Sequence, residues 1–283
     1  IKNWFPSKLP LSLKILELLY AIQELKNNYY CYFQLSIFYV IINEKFYILK
    51  QMTKQIICIG GGGFGRNPKQ RIIEKYILEQ SNAETPNILF IPTASAEDKS
   101  YIVNYYSCFT GLNCNPSHIN LFERTPRLEG VVNKADIIYV GGGNTKSMLA
   151  VWKEWKLDKL LKKAYDRGVI LSGVSAGAIC WFETGVTDSW ASNLNLIDCM
   201  GILEGSCCPH YNSEKERRPS VYRFISDKKV SSVSSIEDGA AIHFKDDKPF
   251  KNISFIEGAK VFVVEEKNNS IIENAQTMHS IIK

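Results

Sequence analysis

The stretch Val169-Ile170-Leu171-Ser172-Gly173-Val174-Ser175-Ala176-Gly177-Ala178 decides the fold. Its first half is a short apolar run of the kind expected for a buried strand. Its second half is G-x-S-x-G, leading into a helix that begins near Ala176. A strand that turns straight into a helix must bend sharply, and small residues around Ser175 leave the backbone room to do so. The bend pushes the serine hydroxyl outward. It also aims the unpartnered N–H groups of the new helix at the same point, where they can stabilise developing negative charge. Ser175 is therefore a candidate nucleophile, and simple helix capping is its alternative role.

Outward from this turn, strands and helices alternate from residue 52 onward. Ile56–Ile59, Asn87–Thr93, His118–Phe122, Ala135–Val140 and Val169–Gly173 read as strands. Helical spacing covers Arg71–Gln80, Asp98–Thr110, 145–154 and 157–167. Buried strands separated by helices predict an α/β fold with a doubly wound, mainly parallel sheet covered on both faces. After about residue 195 the pattern becomes short strands at Val230–Ser234, Ala240–Phe244, Ile253–Ile256, Lys260–Glu265 and Ser270–Ile272, expected as C-terminal β-hairpin elements. No repeat or Pro/Ser-rich linker interrupts residues 52–283, which read as one domain.

Residues 1–51 differ from the rest: they hold none of the 18 glycines, six of the 14 tyrosines, and no Asp, Thr, Arg, Met or His. Met52 is the expected natural start, with 1–51 a leader of translated upstream sequence. The alternative is a helical extension over Leu11–Leu25. Tyr29–Ile42 is mostly apolar but shorter than the roughly 18–20 residues of a spanning helix, so no membrane partner is expected. The whole chain is 45% hydrophobic and 22% charged, which excludes wholesale disorder. A net charge of +5, without a Lys/Arg-rich run, is too mild for a dedicated nucleic-acid binder. Eight cysteines without C-x-x-C spacing read as reduced intracellular thiols, so neither a disulfide framework nor a metal site is expected, and the location expected is cytoplasmic.

Ligands of open α/β sheets bind beyond the carboxyl ends of the strands, where three glycine-rich turns fall: 60–65, 141–143 and 173–177. Gly60-Gly61-Gly62-Gly63-Phe64-Gly65 matches the dinucleotide pattern. The second strand, however, ends in Pro92-Thr93 with no acid for the ribose, so no nucleotide cofactor is expected. A serine nucleophile needs a base. Of the four histidines, His279 lies in the tail, His118 enters a strand and His243 sits within one; His210, after Pro209, opens a polar loop and is the candidate. A carboxylate must orient that base, and the residues alone leave Glu237, Asp188 and Asp238 open.

Taken in order, Gly141-Gly142-Gly143-Asn144, Gly173-Val174-Ser175-Ala176-Gly177-Ala178 and Pro209-His210 resemble the peptidase E, or aspartyl dipeptidase, family of serine peptidases. The resemblance covers about 52–265 and implies a class I glutamine amidotransferase-like fold. It implies a Ser-His-Glu triad of Ser175, His210 and Glu237, with Asp188 as runner-up. Asp238 stands as one inserted residue in the family's glutamate-glycine turn. Gly142 and Ala176 would supply oxyanion N–H groups, and Asn144, Arg217 and Arg218 would bind substrate, the arginines by clamping a carboxylate. The substrate implied is a short peptide with N-terminal aspartate, hydrolysed through an acyl-enzyme without a cofactor by a monomer or homodimer. Other small-amide or cyanophycin-type hydrolysis, and a non-catalytic binding role, are the alternatives.

Overall fold

The computed structural model describes residues 53–191 and 193–282. The expected leader, 1–51, lies outside the described residues. The first strand, β1 (Gln55–Ile59), sets the plan, because its side chains face two separate cores in alternation. Ile56 and Cys58 belong to one apolar cluster and Ile57 and Ile59 to the other. β2 (Asn87–Ile91), β3 (Asn115–His118), β4 (Ile137–Val140) and β5 (Ile170–Val174) join β1 in parallel, in the order β1-β5-β4-β2-β3.

Helices cover both faces. On one lie α1 (Ile72–Leu78) and α2 (Lys99–Phe109), contributing Ile73, Ile77, Tyr105 and Phe109 to the core. A short α3 (Leu128–Val132) precedes β4. On the other face α4 (Thr145–Trp155) and α5 (Leu157–Asp166) bury Met148, Trp152, Leu157 and Leu161. Fully burying apolar side chains of this size stabilises the fold by roughly 1.5–3 kcal/mol each relative to exposure. The turn after β5 feeds α6 (Ala176–Ile179), a single turn of helix.

The remaining chain divides between two sheets. β10 (Ala240–Lys245), β11 (Lys248–Ser254) and β14 (Met278–Ser280) extend the main sheet beyond β1 to eight strands, β10 running antiparallel to β1. A second, six-stranded sheet is built from β6 (Phe182–Thr187), β7 (Asn195–Asp198), β8 (Leu203–Cys208), β9 (Ser232–Ile236), β12 (Val261–Lys267) and β13 (Ser270–Ala275). Helix α7 (Arg217–Ser226) packs Val221, Phe224 and Ile225 against it.

Two expectations need correction. The C-terminal strands are not merely appended hairpins: several join a separate sheet whose members β6, β8 and β9 run parallel. The third strand is Asn115–His118, not His118–Phe122. The Glu97 carboxylate captures the backbone N–H groups of Leu121 and Phe122, so the chain turns inward there and buries Ile119 and Leu121. Pro116 is tolerated because β3 is an edge strand.

Candidate active site

Ser175 stands where β5 gives way to α6, at φ 57° and ψ −113°. A non-glycine residue in this region is strained, by about 1–3 kcal/mol, and persists only where its surroundings enforce it. Here they do. The Ser175 N–H donates to the Ile59 carbonyl, and its own carbonyl accepts from Ala178 and Ile179. The flanking glycines are required by close approach: a Cβ on Gly173 would lie 2.2 Å from the Gly177 carbonyl oxygen, and one on Gly177 equally close to that of Val140.

His210 follows β8 and also holds a positive φ, 53°. Its N–H donates to the Gly60 carbonyl, and the next residue, Tyr211, donates to the carbonyl of Ile236. The imidazole is thereby fixed between the tips of β1 and β9. Nε2 lies 2.8 Å from the Ser175 hydroxyl and Nδ1 lies 2.6 Å from Asp238 Oδ1. The second Asp238 oxygen accepts from the Arg66 guanidinium at 2.5 Å. Asn212 Oδ1 accepts the backbone N–H of Asp238 and secures it from the His210 loop.

Ser175, His210 and Asp238 thus form one hydrogen-bonded line. Glu237, the acid expected there, points elsewhere: its carboxylate accepts the Lys260 N–H at 2.8 Å and ties the end of β9 to the start of β12. Successive side chains leave an extended backbone in opposite directions, so where Glu237 faces β12 its neighbour faces β1. Asp188 is also away from the histidine, 3.8 Å from Arg217.

The charge state of Asp238 follows from this setting. Burial works to raise its carboxyl, but the hydrogen bonds and electrostatic attraction of His210 and Arg66 outweigh burial and hold it well below the usual carboxylate range. A carboxyl depressed by folding adds stability that is fully present above its unfolded value, about pH 4, and is lost as pH falls further. The gap in urea midpoint between the wild type and Asp238→Asn should therefore narrow on going from pH 7 to pH 3. A constant gap would contradict the depressed carboxyl.

The glycine run 60–65 makes room for the His–Asp pair. A Cβ on Gly61 would fall 1.9 Å from Asp238 Oδ1 and 2.7 Å from His210 Nδ1, so only glycine lets the strand tip pass behind the His–Asp pair. Gly61 also accepts the Gly239 N–H, which keeps it from retreating. Below the run, the buried Glu74 carboxylate accepts the Phe64 N–H at 2.6 Å. Desolvation raises that carboxyl, against the pull of its backbone hydrogen bonds and Arg71. Gly61→Ala should cost on the order of 10²-fold in kcat/KM while the chain stays folded, by displacing Asp238 about 1 Å. Wild-type turnover in the folded variant would show that the acid's position is unimportant.

A cleft of about 390 Å³ opens over Ser175 and His210, walled by Arg66, Asp98, Tyr101 and Gly142. Gly142 lies against the serine, with a hypothetical Cβ 3.8 Å from its Oγ. Its N–H donates to the Tyr101 hydroxyl at 3.4 Å, a long bond. Ala176 is buried, at the first position of α6.

The substrate-binding side chains expected from the sequence lie outside this cleft. Asn144 caps α4: its Oδ1 accepts the Ser147 N–H and its amide donates to the Ser189 carbonyl. Arg217 is 2% exposed and is occupied by Glu214 and the Val186 carbonyl. Arg218 pairs with Glu273 at 3.1 Å and stacks on Tyr211. Burial takes Arg217 out of reach of a ligand in this cleft and commits its donors to the protein, which offsets its desolvation. Arg66 was not singled out from sequence; its only signal was an arginine directly after the glycine run. Among the described residues, no three His, Cys, Asp or Glu side chains converge as metal ligands, and no helix is long and apolar enough to cross a membrane.

Comparison with known proteins agrees with this architecture. Residues 56–251 match the model of peptidase family S51, and the chain belongs to that family of serine-type peptidases. It is 48% identical over 221 residues to the uncharacterized peptidase YgaJ of Bacillus subtilis strain 168, covering 78% of this chain and 96% of that protein. Among solved structures, a peptidase from an acI-B1 actinobacterium superposes with a TM-score of 0.57 at 17% identity, covering 78% of this chain and 95% of the other. A Listeria monocytogenes EGD-e protein carrying a provisional peptidase E name superposes at 0.53 and 20% identity, covering 76% and 100%. At these identities the structural likeness concerns the fold.

Proposed function

We propose that the protein is a serine-type dipeptidase that hydrolyses short peptides with N-terminal aspartate through Ser175, His210 and Asp238. The observation that carries this reading is the continuous line from the Ser175 hydroxyl through both imidazole nitrogens to a carboxylate. Ser175 Oγ attacks the scissile carbonyl while His210 Nε2 removes its proton. Asp238 accepts the Nδ1–H, which selects the tautomer and stabilises the imidazolium. The oxyanion is received by the Ala176 N–H and by the Gly142 N–H, which exchanges its long bond to Tyr101 for the substrate. His210 then gives its proton to the leaving amine. Water, deprotonated by the same imidazole, releases the acyl group from Ser175.

A small cleft with one Lys or Arg among the described residues of its wall suits a short acidic peptide better than a folded protein. The cysteine complement suits a reducing compartment and so a cytoplasmic location, and no cofactor enters the chemistry. The test is turnover of Asp-Leu, Leu-Leu and a chromogenic ester by the purified protein beside Ser175→Ala. Serine-dependent activity confined to Asp-Leu is the expected result. Ester turnover alone would favour a general hydrolase, and no serine-dependent turnover would favour a binding protein.

A further inference from the structure

We infer that Arg66 is the carboxylate-recognition residue of the Ser175 cleft, and so a determinant of specificity; this rests on the reading of Ser175 as nucleophile. Among the described residues walling that cleft, Arg66 is the one Lys or Arg. Its side chain is 61% exposed, in contrast to Arg217. A guanidinium has five N–H donors, and among the described residues Arg66 spends one, from Nη1 to Asp238. The remaining donors are available to solvent and to a ligand in the cleft.

The bond to Asp238 also prepares the group to bind. It holds the guanidinium at one corner, so less side-chain freedom is lost when a carboxylate docks in the planar, two-pronged manner that arginine favours. The other charged side chain in the wall, Asp98, is already occupied: it accepts the Tyr101 N–H at 2.8 Å and the Ser100 hydroxyl as the cap of α2. An acidic ligand therefore meets an arginine with spare donors, and the nearby aspartates have hydrogen-bond partners of their own. The chemistry recognised is a carboxylate of a short peptide. It comes either from an acidic side chain on the acyl residue or from the free C-terminus of the leaving residue.

Steady-state kinetics of the wild type, Arg66→Lys and Arg66→Met on Asp-Leu, Asn-Leu and their C-terminal amides test the inference. Inhibition by free aspartate against asparagine repeats the side-chain comparison without requiring turnover. In Arg66→Met, the kcat/KM preference for the recognised carboxylate should fall at least tenfold, chiefly through KM, with partial recovery in Arg66→Lys. Collapse of the Asp/Asn ratio identifies the side chain as the source, and collapse of the acid/amide ratio identifies the C-terminus. An equal loss on all four peptides, carried by kcat, would overturn the inference and leave Arg66 only steadying Asp238. Unchanged ratios with unchanged rates would overturn it as well. Failure of the underlying reading is distinct: Ser175→Ala would then match the wild type, whatever residue stands at 66.

Discussion

Ser175→Ala is expected to lower kcat/KM for a cleaved dipeptide by about 10⁴-fold or more, the scale on which serine hydrolases lose activity when the nucleophile is removed. One oxygen carries the covalent chemistry, and that oxygen sits 2.8 Å from the imidazole that would deprotonate it. No other hydroxyl shares the position, because the strained turn at φ 57° presents this side chain alone. The fold should survive. Alanine keeps the same Cβ in the same strained backbone, and the lost hydrogen bond is worth only about 0.5–1.5 kcal/mol net. A thermal melt beside the kinetics separates the two effects: a large rate loss with a small change in Tm is the expected pair. Near-normal turnover in a folded Ser175→Ala protein would remove the nucleophile assignment.

The second large effect concerns two adjacent acids. Asp238→Asn should reduce kcat by on the order of 10⁴-fold, as when the carboxylate that orients a triad histidine becomes an amide. An amide presents N–H as well as C=O, so it can hold the imidazole in the wrong tautomer and gives no charge to the imidazolium. Glu237→Gln should leave kcat within about threefold of wild type, since its carboxylate serves the Lys260 backbone. An amide oxygen can keep that bond at somewhat lower strength. The comparison is sharp because the residues are neighbours of like charge, so a general electrostatic effect would weaken both variants alike. If Glu237→Gln proved the damaging change and Asp238→Asn the mild one, the pairing at His210 Nδ1 would be wrong.

Both expectations depend on the glycine run and on Arg66. Asp238 is held by His210 on one oxygen and Arg66 on the other, with Gly61 passing directly behind it. The acid, the base, the cleft's cation and the strand tip that makes room for them therefore form one packed unit. Changes at Asp238 and Arg66 should combine non-additively, as expected for groups that share partners.

The alternation of strands and helices was legible because each buried strand is a short apolar run and each covering helix carries its own 3.6-residue spacing. The second sheet was not. β6, reading Phe-Glu-Thr-Gly-Val-Thr, and β8, reading Leu-Glu-Gly-Ser-Cys-Cys, mix polar residues and glycine, which weakens any local strand signal. Their pairing comes from burial against neighbours far away in the chain. Arg217 and Arg218 looked like ligand-binding residues because a charge shortly after the base carries no record of whether it will be buried, as Arg217 is, or engaged by a distant acid, as Arg218 is by Glu273.

The amino-acid order alone specified the sharp serine turn, since its demand for small flanking residues is met within five positions. It also pointed to His210 by elimination among four histidines. It could not choose between Glu237 and Asp238, or connect Arg66 with either. Those choices depend on which way a side chain faces at a strand tip, and on which distant strand tips are brought together when the sheets form. Proximity of residues 61, 66, 175, 210 and 238 exists only after the chain has packed, so no local pattern could record it.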